Sequence, residues 1–166
     1  MSVRRLSMLV AVLFALSAGS LQAADGPNDA AALKGVTMGK VVFDIATPKP
    51  ETLVVLLTVV RETYDDLVAQ KIVPQMVLAI RGAPVKAIKT NRDELPLESY
   101  DAYERINDIL DDLAKRPGVR IEVCSISTRM LGVENARIKP AFHVVGNTWV
   151  SLIGYQARGY AVIPLN

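Results

Sequence analysis

Val41-Val42-Phe43-Asp44-Ile45-Ala46 is a short apolar run, and Thr47-Pro48-Lys49-Pro50 closes it as a turn. Residues 51–70 then carry Leu53, Leu56, Leu57, Val60, Tyr64 and Leu67 at helical spacing, with Arg61, Glu62, Asp65 and Asp66 on the opposite side. A second apolar run, Met76-Val77-Leu78-Ala79-Ile80, ends in another turn, Arg81-Gly82-Ala83-Pro84. Strand, amphipathic helix and strand in that order form a βαβ unit, and strands apolar at nearly every position are those of a parallel sheet covered on both faces.

The same alternation continues to the carboxyl end. Val85 to Thr90 starts a short helix, and Glu98 to Lys115 carries Tyr100, Tyr103, Ile106, Leu110 and Leu113 on one face before Pro117-Gly118 stops it. Val119 to Val123 reads as a third strand, Thr128 to Leu131 as a short helix and Phe142 to Val145 as a fourth strand. A helix over Trp149 to Ala157 and a fifth strand over Tyr160 to Ile163 complete the chain. The expected architecture is one three-layer α/β/α sandwich with a mainly parallel five-stranded sheet, flavodoxin-like in general terms. It occupies residues 40–166, behind a flexible, Ala-, Gly-, Asp- and Asn-rich stretch over 24–39.

The amino terminus gives the compartment. Arg4-Arg5 precedes the apolar segment Leu6 to Leu16, and small residues lead up to Ala23. This is the order of a secretory signal, shorter than a membrane span of roughly 20 residues. Residues 1–23 are expected to be removed, leaving roughly 140 residues in an exported protein, in a bacterium a periplasmic one. The paired arginines match a twin-arginine signal only loosely, so ordinary secretion is the expected route. With no cysteine at the expected cleavage point, neither a lipoprotein anchor nor a stable membrane attachment after cleavage is expected.

The net charge of +2 lies in that leader, because without Arg4 and Arg5 the chain holds 17 basic and 17 acidic residues. Phosphate binding needs uncompensated basic surface, which makes nucleic acid an unlikely class of partner. GxGxxG, GxxxxGK[ST] and GxSxG are all missing after the strands, so the nucleotide and serine-hydrolase readings lose their support. No cofactor is expected.

The one cysteine, Cys124, sits where the third strand gives way to Ser125-Ile126-Ser127-Thr128. An internal disulfide or CxxC couple is impossible, and amides at a helix start favour a thiolate there. A reactive thiol and a small buried core residue both remain open. In open α/β sheets ligands gather beyond the carboxyl ends of the strands, which here are Asp44, Arg81 and Gly82, Cys124 and Ser125, and Gly146 and Asn147. Arg129 would stabilise a thiolate or stand as a solvated helix arginine. Ser125, Ser127 and Thr128 would donate to bound sulfur or cap the helix. Asp44 orients a partner or, as the simpler expectation, caps the helix after it, while Arg81-Gly82 binds an anion or simply turns the chain. His143 is the only histidine, and one Cys with one His makes no zinc set. The stretch Trp149 to Tyr155 is too apolar for a helix with a wet side, and is expected to pack on the sheet or on another subunit.

Lys40-Val41-Val42-Phe43-Asp44, Leu78-Ala79-Ile80-Arg81-Gly82, Glu122-Val123-Cys124 with the following Arg129-Met130-Leu131-Gly132-Val133, and Gly159-Tyr160-Ala161 together resemble the DsrE/DsrF-like family, in particular its exported single-domain members, from Lys40 to the carboxyl terminus. The resemblance implies a parallel-sheet domain assembled into homo-oligomers, trimers or hexamers. It also implies sulfur relay, in which a cysteine after the third strand, here Cys124, accepts sulfane sulfur as a persulfide and passes it on. The partners would be sulfur donor and acceptor proteins or small sulfur compounds. A different class of function, a non-catalytic oligomeric binding or scaffold protein with an anion or partner pocket at the strand edge, fits a buried Cys124. A redox-sensing thiol is a third reading.

Overall fold

A computed structural model describes residues 28–88 and 97–166. Residues 1–23, expected to be a signal segment, lie outside the described residues together with the expected cleavage point. So do 24–27 of the stretch expected to be flexible and Lys89-Thr90 of the short helix expected from Val85.

Five strands alternate with helices. They are β1 (Met38–Ile45), α1 (Pro50–Ala69), β2 (Val73–Ile80), α2 (Tyr100–Leu113), β3 (Val119–Cys124), α3 (Ser125–Met130), β4 (His143–Val145), α4 (Thr148–Ala157) and β5 (Ala161–Leu165). All pairings are parallel, in the order β4-β3-β2-β1-β5. The sheet is the middle layer of an α/β/α sandwich. β1 starts at Met38, two residues before the expected domain boundary, and a 3-10 turn over Ala83–Lys86 begins two residues before the short helix expected from Val85 to Thr90. Pro84 suits the first turn of that element, where its missing N–H leaves no ladder bond unmade.

Handedness decides which face each helix covers. The connections β1-α1-β2 and β2-α2-β3 step in one direction across the sheet, whereas β4-α4-β5 crosses back from one edge to the other. Right-handed crossovers in opposite directions lie on opposite faces. α1 and α2 therefore share a face, and α4 has the other to itself, packed against β1, β2, β3 and β5.

The strand period of two sorts side chains between these faces. Val41, Phe43 and Ile45 of β1, Met76, Leu78 and Ile80 of β2, and Ile121 and Val123 of β3 point into one core. There they meet Leu53, Leu57 and Val60 of α1 and Ile106, Leu110 and Leu113 of α2. The opposite core is small: Val42, Val77, Ala79 and Tyr155, with Leu152, Tyr160 and Val162 against it. The residues of the first core are nearly all fully buried, so a Leu57→Ala or Leu110→Ala change would cost about 2–5 kcal/mol.

Gly118 marks the entry to β3. Its φ is +78°, and a Cβ there would strike the Pro74 carbonyl oxygen of β2. The close approach lets Met76 N–H donate to Gly118 O at 2.8 Å, the first bond that registers β3 on β2. Gly118→Ala is predicted to lower unfolding stability by about 2 kcal/mol or more, since left-handed backbone and contact with a fixed carbonyl act together. Urea denaturation measures it, and a loss below about 0.5 kcal/mol would show that the turn relaxes freely.

Candidate functional site

The connection after β3 packs Val133, Ile138 and Phe142 into the α1/α2 core, while the connection after β4 becomes α4 on the opposite face. Adjacent strands whose connections part to opposite faces leave a crevice at their carboxyl ends. Cys124, the last residue of β3 and the N-cap of α3, lies in that crevice.

Register brings the other groups beside it. Ile80 of β2 pairs with Val123 of β3, so Arg81 and Cys124 are the next residues out on neighbouring strands. Asp44 pairs with Ala79, one step further in. Arg81 reaches back to Asp44 and grips its carboxylate with two bonds, Nε to Oδ1 at 2.7 Å and Nη2 to Oδ2 at 2.9 Å. On its other side the guanidinium carbon lies 5.7 Å from the centre of the Trp149 ring.

Cys124, Arg81 and Trp149 line a cavity of about 240 Å³, with Met130 and Ile126 on the α3 side and Asn147 and Thr148 on the α4 side. Asn147 is the N-cap of α4, and its Oδ1 accepts from Trp149 N at 2.9 Å. That cap fixes Thr148 as the first residue of the helix, with its hydroxyl directed into the site. Gly82, at φ 64° and ψ −148°, takes backbone angles closed to other residues and donates its N–H to Ser127 Oγ at 2.9 Å. With its oxygen accepting from Gly82, the Ser127 hydroxyl keeps its proton for the cysteine.

Cys124 is only 4% exposed. Burial pushes its thiol up; against this, the backbone amides of Thr148 and Ser127 and the hydroxyls of the same two residues favour the thiolate. The donors win, and the pKa falls from 9.0 to about 7. They are poised rather than fully engaged: Cys124 closes no side-chain cap bond, and Thr148 Oγ1, in a residue with no exposure, has no hydrogen-bond partner. Two helix starts, those of α3 and α4, thus aim donors at one sulfur. A thiol whose folded pKa lies below its unfolded value stabilises the fold as thiolate, so this contribution is complete above about pH 9 and is lost as pH falls through about 7.

Sequence-derived candidates divide between this crevice and other places. Arg81, Gly82, Ser127 and Asn147 line the cavity with Cys124, and Asp44 is bound to its wall through Arg81. Ser125 and Arg129 border a different depression, with Thr128 and Asn135, and Arg129 is exposed. The helix begins at Ser125 rather than Thr128, which turns Arg129 away from the sulfur. Thr128 is buried and bonds Asn135 Oδ1 at 2.6 Å. The capping role expected of Asp44 is not found: Lys49 is the N-cap of α1, without a side-chain cap bond. Asp44 is instead the acceptor that holds Arg81. His143 is exposed on β4, in register with Glu122 rather than with Cys124, and forms no Cys-His pair.

Ile126, Met130 and Thr148 line the site without having been candidates in the sequence, and Trp149 stood out there only as the start of an apolar helix. The Asn147 cap was the usable clue, because the residue after a cap at a strand's carboxyl edge faces the same crevice. The α4 face also buries Glu122, whose Oε1 accepts from Tyr155 Oη at 2.9 Å and Arg120 Nε at 2.8 Å. A larger hollow of about 650 Å³ runs between α1 and α2, lined by valines, Thr58, Arg105 and the carboxylates of Glu51, Glu62, Glu98 and Asp101, away from Cys124 and the strand ends. Among the described residues, no group of three or more His, Cys, Asp or Glu side chains is placed to hold a metal, and no helix is long and apolar enough to cross a membrane.

No family model matches the chain. An uncharacterized protein of Aquifex aeolicus (strain VF5) is 23% identical over 125 residues, 75% of this chain. The chain spans 55% of the length of that relative. Among solved structures, a protein of unknown function, MTH1491 from Methanobacterium thermoautotrophicum, aligns with TM-score 0.60 and 20% identity over 76% of this chain and 99% of its own. The ychN protein from E. coli aligns with TM-score 0.56 and 20% identity over 77% and 100%. These likenesses show that the α/β fold is shared.

Thr148→Val keeps the shape of the side chain and removes the hydroxyl donor to sulfur. The Cys124 pKa is predicted to rise above about 7, with stability changed by less than about 1 kcal/mol, because the lost hydroxyl had no other partner. The pH dependence of iodoacetamide alkylation reads the first and urea denaturation the second. An unmoved alkylation midpoint would remove Thr148 from the site.

Proposed function

We propose that this chain is a DsrE/DsrF-like sulfur carrier that holds sulfane sulfur as a persulfide on Cys124. The observation that carries the reading is the convergence of the Thr148 and Ser127 amides and hydroxyls on Cys124, which brings its pKa to about 7 beside a cavity with room for one further group. About half of such a thiol is thiolate near neutral pH, and the thiolate is the nucleophile. Attack on a donor's outer sulfur forms Cys124–S–SH, and the same donors then face the new terminal sulfur.

The leader suits work in an exported compartment. On α4, Trp149, Val150 and Ile153 are 61%, 63% and 68% exposed, which supports assembly into the trimers or hexamers the resemblance implies. One observation favours the competing reading of a non-catalytic binding or scaffold protein: Cys124 itself is 4% exposed. The two readings part on reactivity.

Intact-mass measurement after exposure to polysulfide, without reductant, is expected to show additions of whole sulfur atoms on the wild-type chain. Reductant should remove them, and Cys124→Ser should lack them while keeping its fold. The rate of loading should rise with pH through about 7 and then level, because protonation below that value removes the nucleophile. Equal loading of Cys124→Ser would defeat the mechanism; a wild-type thiol that resists both sulfur and alkylation would favour the binding or scaffold protein.

A further inference from the structure

The walls of the Cys124 cavity bear on which sulfur compound fits there. The cationic side chain on its lining is Arg81, and Asp44 occupies that guanidinium with a bidentate bond at 2.7 and 2.9 Å. Its side chain is 27% exposed and that of Asp44 12%, so the carboxylate holds the guanidinium within the wall and offsets the charge that Cys124 meets there. Facing it are Ile126, Met130 and Trp149, which are apolar or polarizable. The Thr148 hydroxyl, fully buried and without a partner, opens into the same space. This unpartnered donor marks a place for an acceptor atom at the sulfur rather than at the mouth.

We infer that the Asp44–Arg81 pair makes the Cys124 cavity selective for thiol persulfides, R–S–SH with an apolar R, and against thiosulfate. The inference rests on the sulfur-carrier reading and names the substrate class of the same site. With a persulfide, the Cys124 thiolate attacks the outer sulfur and forms one S–S bond while the donor's S–S bond breaks. The electron pair leaves on R–S⁻, the proton stays on the transferred sulfur, and the product is Cys124–S–SH. No oxidant is needed, because the sulfane sulfur keeps its oxidation state. The developing charge on the transferred sulfur meets the Thr148 and Ser127 donors, and the apolar R lies on Met130, Ile126 and Trp149.

Thiosulfate asks for something else. Its transfer gives Cys124–S–S⁻ and sulfite, and the dianion must first approach a thiolate. An uncancelled cation or several donors would have to receive the sulfonate oxygens, since burying unpaired charge is costly. Arg81 is the group placed to do this, and Asp44 holds it.

The test compares donors on the full chain, with loading followed by intact mass. One donor is an n-butyl persulfide released in situ and the other is thiosulfate, at equal concentration near pH 8. Wild type is expected to load from the persulfide on the order of 100-fold faster than from thiosulfate, the scale of an unpaired buried charge. Asp44→Asn is expected to raise the ratio of the thiosulfate rate to the persulfide rate roughly tenfold, as one freed charge partner would. Asp44→Ser provides the same loss of charge should the asparagine variant fail to fold. Comparable wild-type rates from both donors would overturn the selectivity and leave the sulfur carrier standing. An unchanged ratio in the folded Asp44 variants would overturn the role given to the pair. Failure of both donors to load Cys124 would overturn the carrier reading and this inference with it.

Discussion

The alternation of side chains across three registered parallel strands is the constraint on which the molecule depends. Ile45, Ile80 and Val123 point one way, into the core under α1 and α2, and the neighbours Asp44, Arg81 and Cys124 fall to the other side. A slip of one residue in β2 would exchange Ile80 for Arg81 in the larger core, at a cost no turn could offset. The apolar face therefore fixes the register, and the register sets a carboxylate, a guanidinium and a thiol together on the thinly covered face.

Helix placement then gives the thiol its character. α3 begins at the residue after Cys124 and α4 begins two residues after Gly146, so two sets of helix-start donors meet one sulfur. Cys124 takes the N-cap position usually held by Ser, Thr, Asp or Asn, where a side chain receives the orphan amides of the first turn. A thiol is a poor acceptor until it ionises, and the poised donors of Ser127 and Thr148 reward that ionisation. The Asp44–Arg81 pair closes the side wall, and the carboxylate offsets the guanidinium charge that faces the sulfur.

The sheet and its helices could be read in the sequence because they depend on patterns that the chain carries locally. The near-continuous runs Val41 to Ile45 and Met76 to Ile80 reveal strands buried on both faces, the alternation of Val119, Ile121 and Val123 with charged residues reveals β3, and the spacing of Leu53, Leu57, Val60 and Tyr64 reveals α1. Cys124, Arg81, Gly82, Ser127 and Asn147 could be placed at one sheet edge by the rule that sites form at strand ends. What the residues did not disclose was orientation. Arg129 looked close to Cys124 in sequence, yet an α3 that starts at Ser125 carries it to the far side. Thr148 drew no attention in the sequence, since its link to Cys124 runs between two connections and not along the chain. Asp44 read as a cap for the same reason: its partner lies 37 residues away, across the β1-β2 register.

The account is tested most directly by a crystal structure of the chain soaked in polysulfide, with the sulfur positions fixed by anomalous scattering. A second sulfur bonded to Cys124 Sγ, seated in the cavity between Met130 and Trp149 and within hydrogen-bond reach of Thr148 Oγ1, is the expected result. A bare Cys124 with the cavity unfilled, or sulfur bound anywhere other than on that thiol, would contradict it.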